Sequence, residues 1–78
     1  MKIVEGEIIT LSNNKEYICL KTLTDNDIDY IYLMSNFKPL EINFARQNIV
    51  NGEIEITVIN NQQEKERLLK LFQASVQN

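Results

Sequence analysis

Histidine is absent from the 78 residues, and cysteine and proline occur once each. Without histidine the chain cannot assemble a Ser–His–Asp or Cys–His nucleophile, and it lacks the usual imidazole ligand for metals. The single cysteine, Cys19, excludes an internal disulfide, a thiolate metal cluster and a CxxC redox pair. Glycine is nearly as scarce: Gly6 and Gly52 are too few to cradle a phosphate in a glycine-rich loop. Apolar runs are short, and none approaches the roughly 18 residues a membrane span requires. The opening "MKIVEGEIITL" carries Glu5 and Glu7 and lacks the apolar run of a signal peptide, so the expected location is cytoplasmic. Basic residues are outnumbered eight to eleven, for a net charge of −3, which offers no electrostatic reason to approach a phosphate backbone or an anionic membrane.

What is present describes a folded chain. Apolar residues make up 44% and charged residues 24%, an ordinary globular balance, and the length suits one domain over residues 1–78. Alternation with period two and many β-branched residues dominate up to Ile59, and a helical pattern follows. Turn chemistry punctuates the first part: "SNNK" at 12–15, "TDND" at 24–27, and Asn51–Gly52, the strongest hairpin signal in the chain. Pro39 falls in a connection, where its missing N–H costs nothing. Five strands are expected, at about 4–11, 16–23, 28–35, 41–49 and 53–59, then a helix at about 62–76. Asn60 or Asn61 can cap that helix, with Glu64 placed as in a capping box. Its apolar stripe reads Leu68, Leu69, Phe72 and Val76, with Leu71 at the edge.

Pairing across the turns sorts side chains by face. With Asn13–Asn14 central in the first turn, Ile9 opposes Ile18 and Thr10 opposes Tyr17. Cys19, Lys21 and Leu23 then share a face with Ile28, Tyr30, Tyr32 and Met34, while Ile9, Leu11, Ile18, Leu20, Ile31 and Leu33 form an aliphatic core on the other. With Asn51–Gly52 central, Val50 pairs with Glu53, Asn48 with Glu55 and Arg46 with Thr57. The face that is wet at that turn holds Ile42, Phe44 and Ile59 further away, so a strongly twisted, partly rolled sheet is expected. A sheet apolar on both sides either curls around the aliphatic face with the helix over the tyrosine face, or leaves the tyrosine face for a partner.

Three aspartates, Asp25, Asp27 and Asp29, match the first three ligand positions of an EF-hand loop. Tyr30 stands where that loop needs glycine and Asn36 where it needs glutamate, so the aspartates are read as turning the chain. Carboxylate pairs at Glu5/Glu7 and Glu53/Glu55 have the about 7 Å spacing of an inverting hydrolase, but solvated strands carry such pairs routinely. Cys19, between Ile18 and Leu20, reads as a buried thiol.

The order "GEIITLSNNKEYICL", "DYIYLM", "NGEIEITVI" and "EKERLLKLF" resembles small uncharacterised bacterial proteins of the domain-of-unknown-function kind, built as a β-meander with a C-terminal helix. The resemblance implies a sheet-plus-helix domain and carries no active-site residues. The fold expected is α+β: a five-stranded curled antiparallel meander, rolled as in SH3-like barrels, with one C-terminal helix packed on it. The function expected is a non-enzymatic, cytoplasmic interaction module without cofactor or metal, binding a protein partner or a second copy of itself. Tyr17, Tyr30, Tyr32 and Met34 are the candidate contact residues, with Phe37 outlying, because tyrosine and methionine supply adaptable amphipathic contact area. Two alternatives stand beside it: stacking of single-stranded nucleic acid on the tyrosines, and inhibition of a host protein by a phage or mobile-element product.

Overall fold

The structure, a computed structural model, describes residues 2–76, the side chains of 75 and 76 excepted. Strands β1 (Ile8–Thr10), β2 (Glu16–Asp25), β3 (Ile28–Ser35), β4 (Ile42–Val50) and β5 (Glu53–Val58) precede helix α1 (Gln62–Val76). The strands lie in chain order in one antiparallel sheet, which curls into a half-barrel carrying the helix on one side. This is the expected α+β meander.

Local backbone preference sets each turn. Asn51 (φ 53°) and Gly52 (φ 82°) supply the two positive φ angles of a tight hairpin, and Val50 faces Glu53 as expected. Asn26 (φ 52°) and Asp27 (φ 64°) do the same between Asp25 and Ile28. The first turn is one residue longer than expected. Asn14 N–H donates to the Leu11 carbonyl (2.9 Å), Leu11 N–H donates to the Lys15 carbonyl (3.0 Å), and Asn14 takes a positive φ of 63°. That is a three-residue loop over 12–14, and it slips the register by one. Ile9 therefore opposes Tyr17 rather than Ile18, and Ile8 opposes Ile18.

A second irregularity compensates the first. The pairing of β2 with β3 shifts between Cys19, opposite Leu33, and Lys21, opposite Tyr32. This bulge at Leu20 reverses the facing of everything beyond it. Tyr17 and Cys19 thus join Ile31 and Leu33 on one face, while Lys21 and Leu23 join Tyr30 and Tyr32 on the other. The expected grouping is corrected at four positions. Tyr17 and Cys19 belong to the core opposite the helix, Ile18 turns to the helix side, and Leu20 is 40% exposed.

β1 begins at Ile8 rather than near residue 4, because the chain reverses just before it. Glu7 N–H donates to the Val4 carbonyl (3.2 Å), Gly6 takes φ 90°, and Gly6 N–H donates to the Cys19 carbonyl (2.8 Å). The reversal lays Ile3 over the sheet, where Gln47 replaces a missing strand. Its Oε1 accepts from Ile3 N–H at 2.7 Å and its Nε2 donates to the Ile3 carbonyl at 3.2 Å. A buried amide satisfied at both ends costs little, whereas either end left bare would cost about 1–3 kcal/mol.

Two apolar clusters result. One gathers Ile3, Tyr17, Cys19, Ile31, Leu33 and Ala45, with Ile9, Leu11, Phe37 and Ile56 packed around them. Both edge strands contribute to it, so this is the concave side of the half-barrel. The other gathers Tyr30, Phe44 and Ile59 from the sheet with Leu68 and Phe72 from α1. Asn61 Oδ1 accepts from Glu64 N–H (2.9 Å) and starts the helix as expected. Leu68 and Phe72 lie one turn apart and are buried, each stabilising by about 1.5–3 kcal/mol. Leu69, expected in the stripe, is 44% exposed, since one helical step rotates it about 100° from Leu68. The Val76 side chain, also expected there, lies outside the described residues.

Candidate interaction surface

The four expected contact residues do not form one surface. Tyr17 is buried on the concave side, with its ring edge-on to Phe37 (centroids 5.6 Å apart). Its hydroxyl donates to Glu41 Oε1 (3.0 Å) and accepts from Asn13 Nδ2 (3.2 Å). Tyr30 is buried beneath α1, where its hydroxyl accepts from Arg67 Nη2 (3.1 Å) and approaches Glu64 Oε2 at 3.5 Å. Arg67 also pairs with Asp25 at 2.8 Å, and this contact, ahead of the Tyr30 bond, raises its pKa. Glu64 thereby serves the helix–sheet junction, and only the Asn61 half of the expected capping box is formed. The correction has a physical cause: phenols that reach polar partners are buried as readily as aliphatic residues. Tyr32 and Met34 stay partly exposed. The Tyr32 ring is stacked on Phe44 (4.9 Å) and tilted against Phe72 (5.6 Å), so both its near neighbours are already aromatic. Phe37 sits with the concave cluster, with Lys15 Nζ 5.0 Å from its ring centroid.

The register builds a different surface. Directly opposed residues share a face, and Ile8 opposes Ile18, Ile18 opposes Met34, and Met34 opposes Ile42. Four aliphatic side chains from β1 to β4 thus form a continuous row on the helix side of the sheet. The helix covers the neighbouring rows, reaching Tyr30, Tyr32 and Phe44 through Leu68 and Phe72. Among the described residues this row is the more open: Ile8 is 57% and Ile42 43% exposed, with Ile18 and Met34 partly so. Thr10 opposite Glu16 forms a polar margin beyond it. Of this row sequence reasoning named only Met34. Ile42 was expected to be buried with Phe44 and Ile59, and only the latter two are. The sequence signal for Ile8 and Ile18 was their alternation, which points to the correct face only once the extra loop residue is counted.

The aspartates diverge. Asp25 binds Arg67 on the helix side, while Asp29, opposite Gln47 on the concave side, pairs with Lys2 (3.0 Å) and accepts from the Thr24 hydroxyl (2.6 Å). The Thr24 hydroxyl, and then Lys2, hold the Asp29 carboxyl below its ordinary pKa. Among the described residues no group of three or more histidine, cysteine or acidic side chains could hold a metal ion. Glu5 reaches Lys21 at 3.9 Å and Glu7 accepts from Val4 N–H at 2.9 Å, so that carboxylate pair is engaged locally. Burial pushes the Cys19 thiol up, and its Sγ lies 3.6 Å from the Lys21 carbonyl, to which it donates. No helix of the described residues is long and apolar enough to cross a membrane. No family model matches the chain, and no curated protein or solved structure matches it at a significant level.

Proposed function

We propose that this protein is a small non-enzymatic interaction module, acting in the cytoplasm, that docks another protein chain on the row Ile8–Ile18–Met34–Ile42. The observation that carries the reading is the row itself: four directly opposed aliphatic residues, partly or largely exposed, beside a helix-covered core and bounded by polar side chains. An apolar strip with a polar margin is the arrangement of a protein–protein contact. The simplest occupant is a second copy, since an uncharged apolar strip packs on itself about a twofold axis without opposing like charges. Stacking of nucleic acid loses its support, because Tyr17 and Tyr30 are buried and Tyr32 is stacked on Phe44.

Amide NMR spectra recorded at rising protein concentration, alongside sedimentation, test the reading. Shifts concentrated at Ile8, Ile18, Met34 and Ile42, with dimer formation weakened at least about tenfold by Ile42→Glu, are expected. A monomer with no concentration-dependent shift in this row would remove the second copy as occupant. If cross-linking in the native cell also mapped no protein there, the docking reading would fail.

A further inference from the structure

We infer that the gap between the two sheet edges is a strand-acceptor site for an extended segment of a partner protein that alternates apolar and basic residues. This goes beyond the aliphatic row, which lies on the other face of the sheet.

The edges carry free main-chain groups in register. Ile59 N–H donates to the Phe44 carbonyl (2.8 Å), which marks that pair as hydrogen-bonded, and bonded pairs alternate along an antiparallel ladder. Glu53, Glu55 and Thr57 therefore bond to β4, while Ile54, Ile56 and Val58 direct their N–H and C=O groups outward. On β1, Cys19 N–H donates to the Glu7 carbonyl and Leu11 N–H to the Lys15 carbonyl, so Ile8 and Thr10 direct theirs outward. Among the described residues β1 and β5 are the two edges of the sheet.

Because the sheet curls, these edges converge. A cleft of about 480 Å³ lies between them, lined by Thr10, Leu11 and Ser12 on one side and by Ile54, Ile56 and Val58 among others on the opposite side. Natural edges are blunted by proline, a bulge or an inward charge. β5 has no proline and no bulge, its register being unbroken from Val50–Glu53 to Ala45–Val58. The charges of its sequence EIEITV, Glu53 and Glu55, stand on the face away from the concave cluster.

The curl and the charges choose the occupant. A strand added to β5 continues the curve toward the Thr10–Ser12 side of the cleft, and the β5 of a second copy would bring two further glutamates to the same edge. On the concave side the added strand meets Ile54, Ile56 and Leu11, which suits apolar residues at alternate positions. On its outer side it lies beside Glu53 and Glu55, both exposed and without an ion pair among the described residues, which suits lysine or arginine at the intervening positions.

The experiment is a titration of the isotopically labelled protein with two short acetylated peptides, one alternating lysine with valine and the other glutamate with valine. The lysine peptide is expected to slow amide hydrogen exchange at Ile54, Ile56 and Val58 and to bind at least about tenfold more tightly at low salt. Glu53→Lys with Glu55→Lys, both at exposed positions, should invert that preference. Ile42→Glu should leave peptide binding unchanged, so failure of the aliphatic-row reading and failure of this one are separately visible. Absence of protection at the three β5 amides with either peptide would overturn the inference. So would a preference unmoved by the charge reversal, or protection that appears with protein concentration alone and marks β5 pairing with its own copy.

Discussion

At the scale of single residues, polar side chains decide how the segment before β1 is tied down. Gln47 stands in for a strand beneath Ile3, and Asp29 holds the Lys2 ammonium from the same side of the sheet. Asp29 also gives the fold a pH dependence whose sign follows from its neighbours. Its carboxyl has a lower pKa folded than unfolded, chiefly through the Thr24 hydroxyl. The contribution is therefore fully present above the unfolded-state pKa of 3.8 and is lost as pH falls through the lower folded value. Asp29→Asn should cost roughly 0.5–1 kcal/mol at neutral pH, the small value fitting a partly exposed ion pair. Denaturant melts of the two proteins should converge as the pH is taken below that range. A constant gap throughout would show that the carboxylate charge is not the source.

At the scale of elements, each boundary has a local cause, and the boundaries that sequence reasoning placed well are those with strong local chemistry. Asn51–Gly52 and the Asn61 cap belong here: each works through its own backbone and needs nothing distant. Removing the cap by Asn61→Ala should destabilise the protein by about 1 kcal/mol, read as a lower denaturation midpoint with an unchanged slope. Asn61→Asp should recover most of it, because a carboxylate at that end of the helix accepts the same bond. The first hairpin escaped for the opposite reason. "SNNK" is compatible with two or three loop residues, and the sequence carries no mark that Asn14 alone takes the positive φ. That uncounted residue, together with the bulge at Leu20, put Tyr17 and Ile18 on exchanged faces.

At the scale of the whole molecule, the decisive relation is between the helix and the sheet it covers. Leu68 is fully buried against the Tyr30–Phe44–Ile59 cluster, so Leu68→Ala should cost about 2–5 kcal/mol. The same variant should raise the reactivity of Tyr30 toward tyrosine-modifying reagents while leaving Tyr17, on the opposite face, protected. In the wild-type protein Tyr32 should react first of the three, being the only one partly exposed. Equal reactivity of Tyr17 and Tyr32 would contradict the two-sided arrangement.

Composition and periodicity by themselves determined the α+β class, the number and order of the elements, the α1 bounds and the register of the last hairpin, because alternation and capping are written in neighbouring residues. Which side chains share a face in β1 and β2 was decided only by tertiary structure. The bulge at Leu20 puts the buried Cys19 on one side of the sheet and Leu23 under the helix on the other. The candidate surface was hidden for the same reason. Tyrosine is amphipathic enough to be core or contact, and only the reach of its hydroxyl to Glu41 or Arg67 settles which, while Ile8 and Ile42, which look like core in the sequence, are largely exposed.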